Sequence, residues 1–97
     1  MIRVAIVEDD QEIRKLTASL LNFYTDIECV GVFGNAEEFI SNFAHLSLEV
    51  VLMDIGLPGM TGIECIRKCS VAHPEIEFLI YSDHLDTRDV FEALAFF

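Results

Sequence analysis

Short β-branched, apolar runs alternate along the chain with stretches whose apolar positions recur at helical spacing. Ile2 to Val7 (I-R-V-A-I-V) is nearly all apolar, the pattern of a strand buried on both faces. Ile13, Leu16, Leu20, Leu21 and Tyr24 then recur as on a helix. Glu28 to Phe33 (E-C-V-G-V-F) predicts a second strand. Asn35 starts a helix, with Glu38 three residues on as in a capping box and Phe39, Ile40 and Phe43 on one face. Glu49 to Asp54 (E-V-V-L-M-D) predicts a third buried strand, ending in an acid. Gly56, Pro58 and Gly59 make a loop, and Thr61 caps the next helix with Glu64 at the capping-box position. Pro74 closes that segment, Glu77 to Ser82 (E-F-L-I-Y-S) is a fourth strand, and Asp86 or Thr87 begins a helix carrying Val90, Phe91 and Leu94. The order βαβαβαβα predicts an α/β fold, a parallel sheet with helices on both faces.

Composition narrows this further. Ninety-seven residues make one domain at most, and a hydrophobic fraction of 53% is too high for a disordered chain. No apolar run reaches the ~20 residues of a membrane span. Glu8, Asp9 and Asp10 follow the first apolar stretch at once, so the opening does not read as a signal segment, and a cytoplasmic location is expected. A formal net charge of −11 would repel nucleic acid, so the domain is not expected to bind DNA itself. Three cysteines without a signal segment argue against a disulfide framework. Cys65, Cys69 and His73 lie four apart, a spacing that suits zinc, but Pro74 biases His73 away from helical geometry and no fourth ligand is evident. Small buried residues are the better reading.

In open parallel sheets ligands bind beyond the carboxyl ends of the strands. The residues there are Glu8 and Asp9, then Asp54, then Ser82; the second strand ends in Gly34-Asn35 and brings no comparable charge. If the first, third and fourth strands are neighbours, three carboxylates and a hydroxyl meet at one edge. Carboxylates packed together raise one another's pKa unless something positive sits among them, and Mg²⁺ with oxygen ligands meets that need. A metal-bound phosphate invites in-line attack by a carboxylate, which forms an acyl phosphate. Asp54 is the natural nucleophile, Glu8 and Asp9 the better metal binders, and Ser82 a donor to a phosphoryl oxygen. Singly, each residue has a plainer role: Asp9 or Asp10 as a helix cap, Asp54 as a strand end or turn former, Ser82 as a turn residue. Jointly, acidic and hydroxyl strand ends on one side of one sheet are hard to explain by accident.

Three blocks resemble one family, the response-regulator receiver domains: V-A-I-V-E-D-D (4–10), V-V-L-M-D-I-G-L-P-G-M-T-G-I-E (50–64) and F-L-I-Y-S-D-H (78–84). The resemblance spans the whole chain, and the middle block is the most specific. It implies a flavodoxin-like doubly wound sheet of strand order 2-1-3-4 over 1–97. It also implies phosphorylation of Asp54 by a sensor histidine kinase. Mg²⁺, for which Mn²⁺ can substitute, would be held by Glu8, Asp9, Asp54 and the Gly56 backbone carbonyl. Ser82 would act as the switch hydroxyl. The block from Ser82 to Leu94 looks most like receivers joined to helix-turn-helix domains, so DNA would be reached only through an effector domain not present here.

The chain departs from the family pattern in two ways. The only lysines are Lys15 and Lys68, neither at the place of the family's phosphoryl-pairing lysine, and Ala95-Phe96-Phe97 stands where a glycine-containing turn is expected. The family's fifth strand and fifth helix are expected to be missing, leaving the domain incomplete at its C-terminus. An incomplete domain is expected to self-associate through strand 77–82 or helix 86–97, the apolar edge and helix face being uncovered. Two other functions compete with a signalling acceptor that does not turn over. One is an interaction module that keeps the fold with phosphorylation impaired. The other is a Mg²⁺-dependent phosphohydrolase with an aspartyl-phosphate intermediate. The hydrolase reading wants a second acid two residues after Asp54, where Gly56 stands.

Overall fold

The computed structural model describes residues 1–81. The sequence-based expectations for Ser82 and for the helix from Asp86 or Thr87 fall on residues outside those described. In chain order come β1 (Ile2–Val7), α1 (Gln11–Leu21), β2 (Ile27–Phe33), α2 (Ala36–Asn42), a 3-10 turn (Phe43–His45), β3 (Val50–Asp54), α3 (Gly62–Ala72) and β4 (Glu77–Tyr81). The four strands form one parallel sheet in the order β2-β1-β3-β4, as expected. Among the described residues β4 pairs with β3, and the expectation of an uncovered edge along strand 77–82 turns on residues that lie outside them.

Each helix start follows from a short polar side chain. Asp10 accepts from the amides of Glu12 and Ile13 at 2.9 and 3.2 Å, and Asn35 accepts from Glu38 at 2.7 Å. Thr61 accepts from the Glu64 amide at 3.2 Å while its hydroxyl donates to the Glu64 carboxylate. Helix α3 ends at Ala72, just ahead of Pro74.

One face of the sheet carries the main core. Ala5, Val7, Val51, Met53 and Phe78 meet Ala36, Phe39, Cys65, Ile66 and Cys69 from α2 and α3. Phe39 is fully buried among three rings, stacked on Phe43 at 4.9 Å and edge-on to Phe33 at 5.6 Å and Phe78 at 6.5 Å. Val4 and Ile6, alternating with these positions, are equally buried toward the other face. There α1 lies along β1 and β2.

Helix α1 departs from its apolar pattern. None of its residues is fully buried, and Leu16 and Leu20 are 60% and 53% exposed. The half-buried stripe is Ile13, Arg14, Thr17, Ala18 and Leu21. The helix therefore turns a mixed stripe to the sheet and leaves Leu16 and Leu20 on the flank. No helix among the described residues is long and apolar enough to cross a membrane.

Candidate functional site

The register of β1 against β3 sets the site. Val7 stands opposite Met53, so the next residues, Glu8 and Asp54, leave the sheet level with each other. Asp54 in turn stands opposite Tyr81, and the Ile55 amide donates to the Tyr81 carbonyl at 3.3 Å, which brings the end of β4 to the same edge. Ser82, the predicted hydroxyl, follows directly but lies outside the described residues.

Glu8, Asp9 and Asp54 come together as expected. One carboxylate oxygen from each lies within 4.8 Å of the others. Glu8 is 3% exposed and Asp54 9%, whereas Asp9 is open to solvent. Burial pushes the Glu8 carboxyl up to about 7 from an ordinary 4.5. The hydrogen bond shared with Asp54, the one shared with Asp9 and the Asp54 charge act in the same direction, and the Asp10 amide works against them. The two ion pairs formed among the described residues, Arg3–Glu28 and His73–Glu75, lie elsewhere. The cluster thus holds more negative charge than it can comfortably ionise, a condition relieved by a proton or by a hard cation.

The backbone around these acids is closely tied. The Glu8 amide donates to Phe33 at 2.9 Å, and its carbonyl accepts from Arg14 Nη1 at 2.8 Å. The Asp10 amide donates to Glu8 Oε2 at 3.2 Å. Asp10 is thus the helix cap, and the plainer reading holds for it. The amide of Gly56 donates to Asp54 Oδ1 at 3.1 Å.

Four residues besides the predicted acids shape the site: Glu37, Gly59, Gly62 and Arg14. Glu37 Oε2, from α2, accepts from the Met60 amide at 3.3 Å and holds the loop after Asp54. Gly59 in that loop has φ +70, and a Cβ there would meet Glu37 Oε2 at 2.6 Å. At Gly62 a Cβ would collide with the Asp54 carbonyl oxygen, so only glycine lets α3 start this close to the end of β3. Arg14 anchors the β1–α1 loop. The glycines were visible as a loop signal, but Glu37 and Arg14 look like ordinary helix charges until the tertiary structure places them.

The zinc spacing gathers no site. The one potential metal-holding group among the described residues is the acidic one. Cys65 and Cys69 belong to the core, where a mutual hydrogen bond and burial push the Cys65 thiol up. The His73 ring packs edge-on to Phe43 at 4.8 Å, and its Nδ1 meets Glu75 at 3.2 Å. A cavity of about 280 Å³ beside His73, lined also by Phe43, Leu48 and Ile76, opens at the amino ends of β3 and β4, away from the acids.

Comparison with known proteins agrees with this geometry. A family model, the response regulator receiver domain, matches residues 4–96. A protein-glutamate methylesterase/protein-glutamine glutaminase of Nocardioides sp. is 37% identical over 81 residues, 84% of this chain and 22% of that protein. The response regulator GacA of Pseudomonas viridiflava is 35% identical over 77 residues, 79% of this chain and 36% of that protein. The chain spans less than half the length of the curated relatives it matches. Among solved structures, the isolated REC domain of RcsB from Salmonella enterica serovar Typhimurium superposes with a TM-score of 0.90 at 20% identity, covering 97% of this chain and 70% of that one. A CheY-like receiver domain protein from Methanospirillum hungatei gives 0.85 at 24%, covering 98% and 74%. These likenesses establish the fold.

Proposed function

The chain belongs to the response regulator receiver domain family of two-component signalling, and from that premise we propose that it accepts a phosphoryl group onto Asp54 with the help of Mg²⁺. The observation that carries the reading is the level exit of Glu8 and Asp54 from adjacent strands, with Asp9 beside them and all three carboxylates within 4.8 Å. A partner sensor histidine kinase would supply the phosphoryl group. The methylesterase activity named for one relative belongs to that longer protein and is not carried over to this chain.

The residues fit a divalent cation. Two nearly buried carboxylates and one exposed carboxylate form an oxygen-only donor set, and the raised pKa of Glu8 marks a charge in need of compensation. Glu8, Asp9 and Asp54 would hold the ion, with the Gly56 carbonyl as a further donor. When bound, Mg²⁺ neutralises charge on the transferring phosphoryl group.

The chain's own residues do the rest. Asp54 sits at the end of an internal strand, fixed by the Gly56 amide at 3.1 Å. One of its carboxylate oxygens attacks phosphorus in line. A P–O bond forms as the donor's P–N bond breaks, and the bonding pair leaves with the imidazole nitrogen. The product is an acyl phosphate on Asp54. Ser82 would donate its hydroxyl to a phosphoryl oxygen. Lys15 and Lys68 are exposed on α1 and α3, so cationic help from this part of the chain would have to come from the metal.

Acetyl phosphate with MgCl₂ tests the reading. Intact-mass spectrometry should find one added phosphate, lost on omitting Mg²⁺ and absent in Asp54→Asn. A phosphate located on Ser82 or His84, or one retained in Asp54→Asn, would overturn the assignment of Asp54.

A further inference from the structure

We propose that Arg14 is a positioning residue for the metal site, holding the acid-bearing β1–α1 loop through the Glu8 carbonyl in a slot that Gly34 keeps open. The inference rests on the Mg²⁺ reading above. Arg14 makes no hydrogen bond or ion pair to any of the three carboxylates. Its Nη1 instead donates to the backbone oxygen of Glu8 at 2.8 Å. On the other side of the same peptide segment, the Glu8 amide donates to the Phe33 carbonyl of β2 at 2.9 Å. Glu8 is therefore gripped from both ends of its backbone just where β1 gives way to the loop. Asp9 comes next and is exposed, and that grip and the Asp10 cap fix the backbone that carries its carboxylate.

The slot for the guanidinium is specific. A Cβ built on Gly34, directly after β2, would stand 3.2 Å from Arg14 Nη1, closer than ordinary van der Waals contact. Among the described residues beyond its chain neighbours, the one other atom within 4 Å of that Cβ is Arg14 Cζ at 3.9 Å. A side chain at position 34 would therefore press on the arginine before any other described residue. Arg14 and Gly34 form one device, a side chain from the first turns of α1 reaching across the end of β1 into a gap left at the end of β2. The shape of the group matters as well, since a planar guanidinium holds its N–H groups along a fixed edge and an ammonium does not.

Two accounts of Arg14 predict opposite signs. If its charge alone mattered, removing a cation from the neighbourhood of a cation site would tighten Mg²⁺ binding. If it positions the loop, removing it weakens binding, as loss of outer supports of metal sites commonly does by roughly tenfold or more. Arg14→Met keeps the apolar stem and deletes the donor. Gly34→Ala changes no charge at all and pushes on the guanidinium.

The experiment is a MgCl₂ titration of the isotope-labelled chain, followed by backbone amide shifts, in the unaltered protein, Arg14→Met, Arg14→Lys, Gly34→Ala and the double variant Arg14→Met/Gly34→Ala. Amide hydrogen exchange is measured in parallel without metal. Expected are a Kd weakened by roughly tenfold in Arg14→Met, a smaller loss in Gly34→Ala, incomplete rescue by lysine, and a double variant no worse than Arg14→Met alone. Without metal, the amides of Asp9 and Asp10 should exchange faster in Arg14→Met and Gly34→Ala. An Arg14→Met chain that binds Mg²⁺ as tightly as the unaltered one, or more tightly, overturns the proposal. If the unaltered chain shows no Mg²⁺ shifts, the metal reading fails. The exchange data then judge the tether alone, and unchanged Asp9 and Asp10 protection overturns that too.

Discussion

Replacing Glu8 with glutamine isolates the cost of the charge this site buries. The Glu8 carboxyl is pushed up to about 7, mainly by burial, against an ordinary value of 4.5. Between those values the folded chain keeps a proton that the unfolded chain has released. The stabilisation linked to that proton is complete below the lower value and is lost as pH rises through the upper one. By about pH 8 the loss amounts to about 3 kcal/mol for a shift of this size. Glutamine can still accept from the Asp10 amide, which reaches Glu8 Oε2 at 3.2 Å, and it cannot ionise. Glu8→Gln should therefore match the unaltered chain at about pH 4.5 and exceed it by about 3 kcal/mol at about pH 8. Urea unfolding followed by circular dichroism, in the presence of a chelator, measures the difference. Because the two chains differ only at Glu8, titration of the three histidines cancels in the comparison. A hundredfold excess of Mg²⁺ over Kd should nearly close the gap at the higher pH. The ion stabilises the unaltered chain by mass action, ~2.7 kcal/mol at a hundredfold excess over Kd, and loses a ligand in the variant. Parallel pH–stability profiles for the two chains without metal would refute the reasoning, since the buried charge would then have no thermodynamic consequence.

Two further outcomes are expected. Phe39→Ala, which removes the ring that Phe33, Phe43 and Phe78 surround, should lower unfolding stability by about 3–5 kcal/mol in denaturant titrations. Asp10→Ala should cost about 1 kcal/mol of stability as a lost cap while leaving phosphate uptake from acetyl phosphate intact, whereas Asp9→Asn should leave the melting temperature nearly unchanged without metal and abolish its rise with Mg²⁺.

Much of the fold was legible because its signals are local. A β-branched run such as Ile2–Val7 marks a strand by itself, and Val4 to Val7 are buried on both faces, while the caps at Asn35 and Thr61 act through amides three residues away. Helix α1 was less legible for the opposite reason. Leu16 and Leu20 have the spacing of a buried face, yet the side turned to the sheet carries Arg14, Thr17 and Ala18 beside Ile13 and Leu21, and Arg14 there reaches the Glu8 carbonyl. Periodicity identifies a helix but cannot say which of two adjoining stripes a neighbouring sheet will accept. The same limit hid Glu37: nothing in A-E-E-F reveals that the first glutamate reaches a loop amide twenty-three residues on and the second does not.

The acidic run Glu8-Asp9-Asp10 makes the point most sharply, because its three members have the same charge and different work. Strand alternation does not decide their fates, since the run begins where β1 ends. What separates them is the turn into α1. The helix needs an acceptor at its first free amides, and Asp10 supplies it. That fixes the peptide behind it, so Glu8 continues the line of the strand into the protein beside Asp54, and Asp9 is left facing solvent. One acid thus holds the helix, one is buried at an energetic cost, and one stays accessible. A divalent cation arriving from solvent would meet Asp9 first and displace the Glu8 proton last, so its binding should release a proton near neutral pH and strengthen as pH rises through about 7.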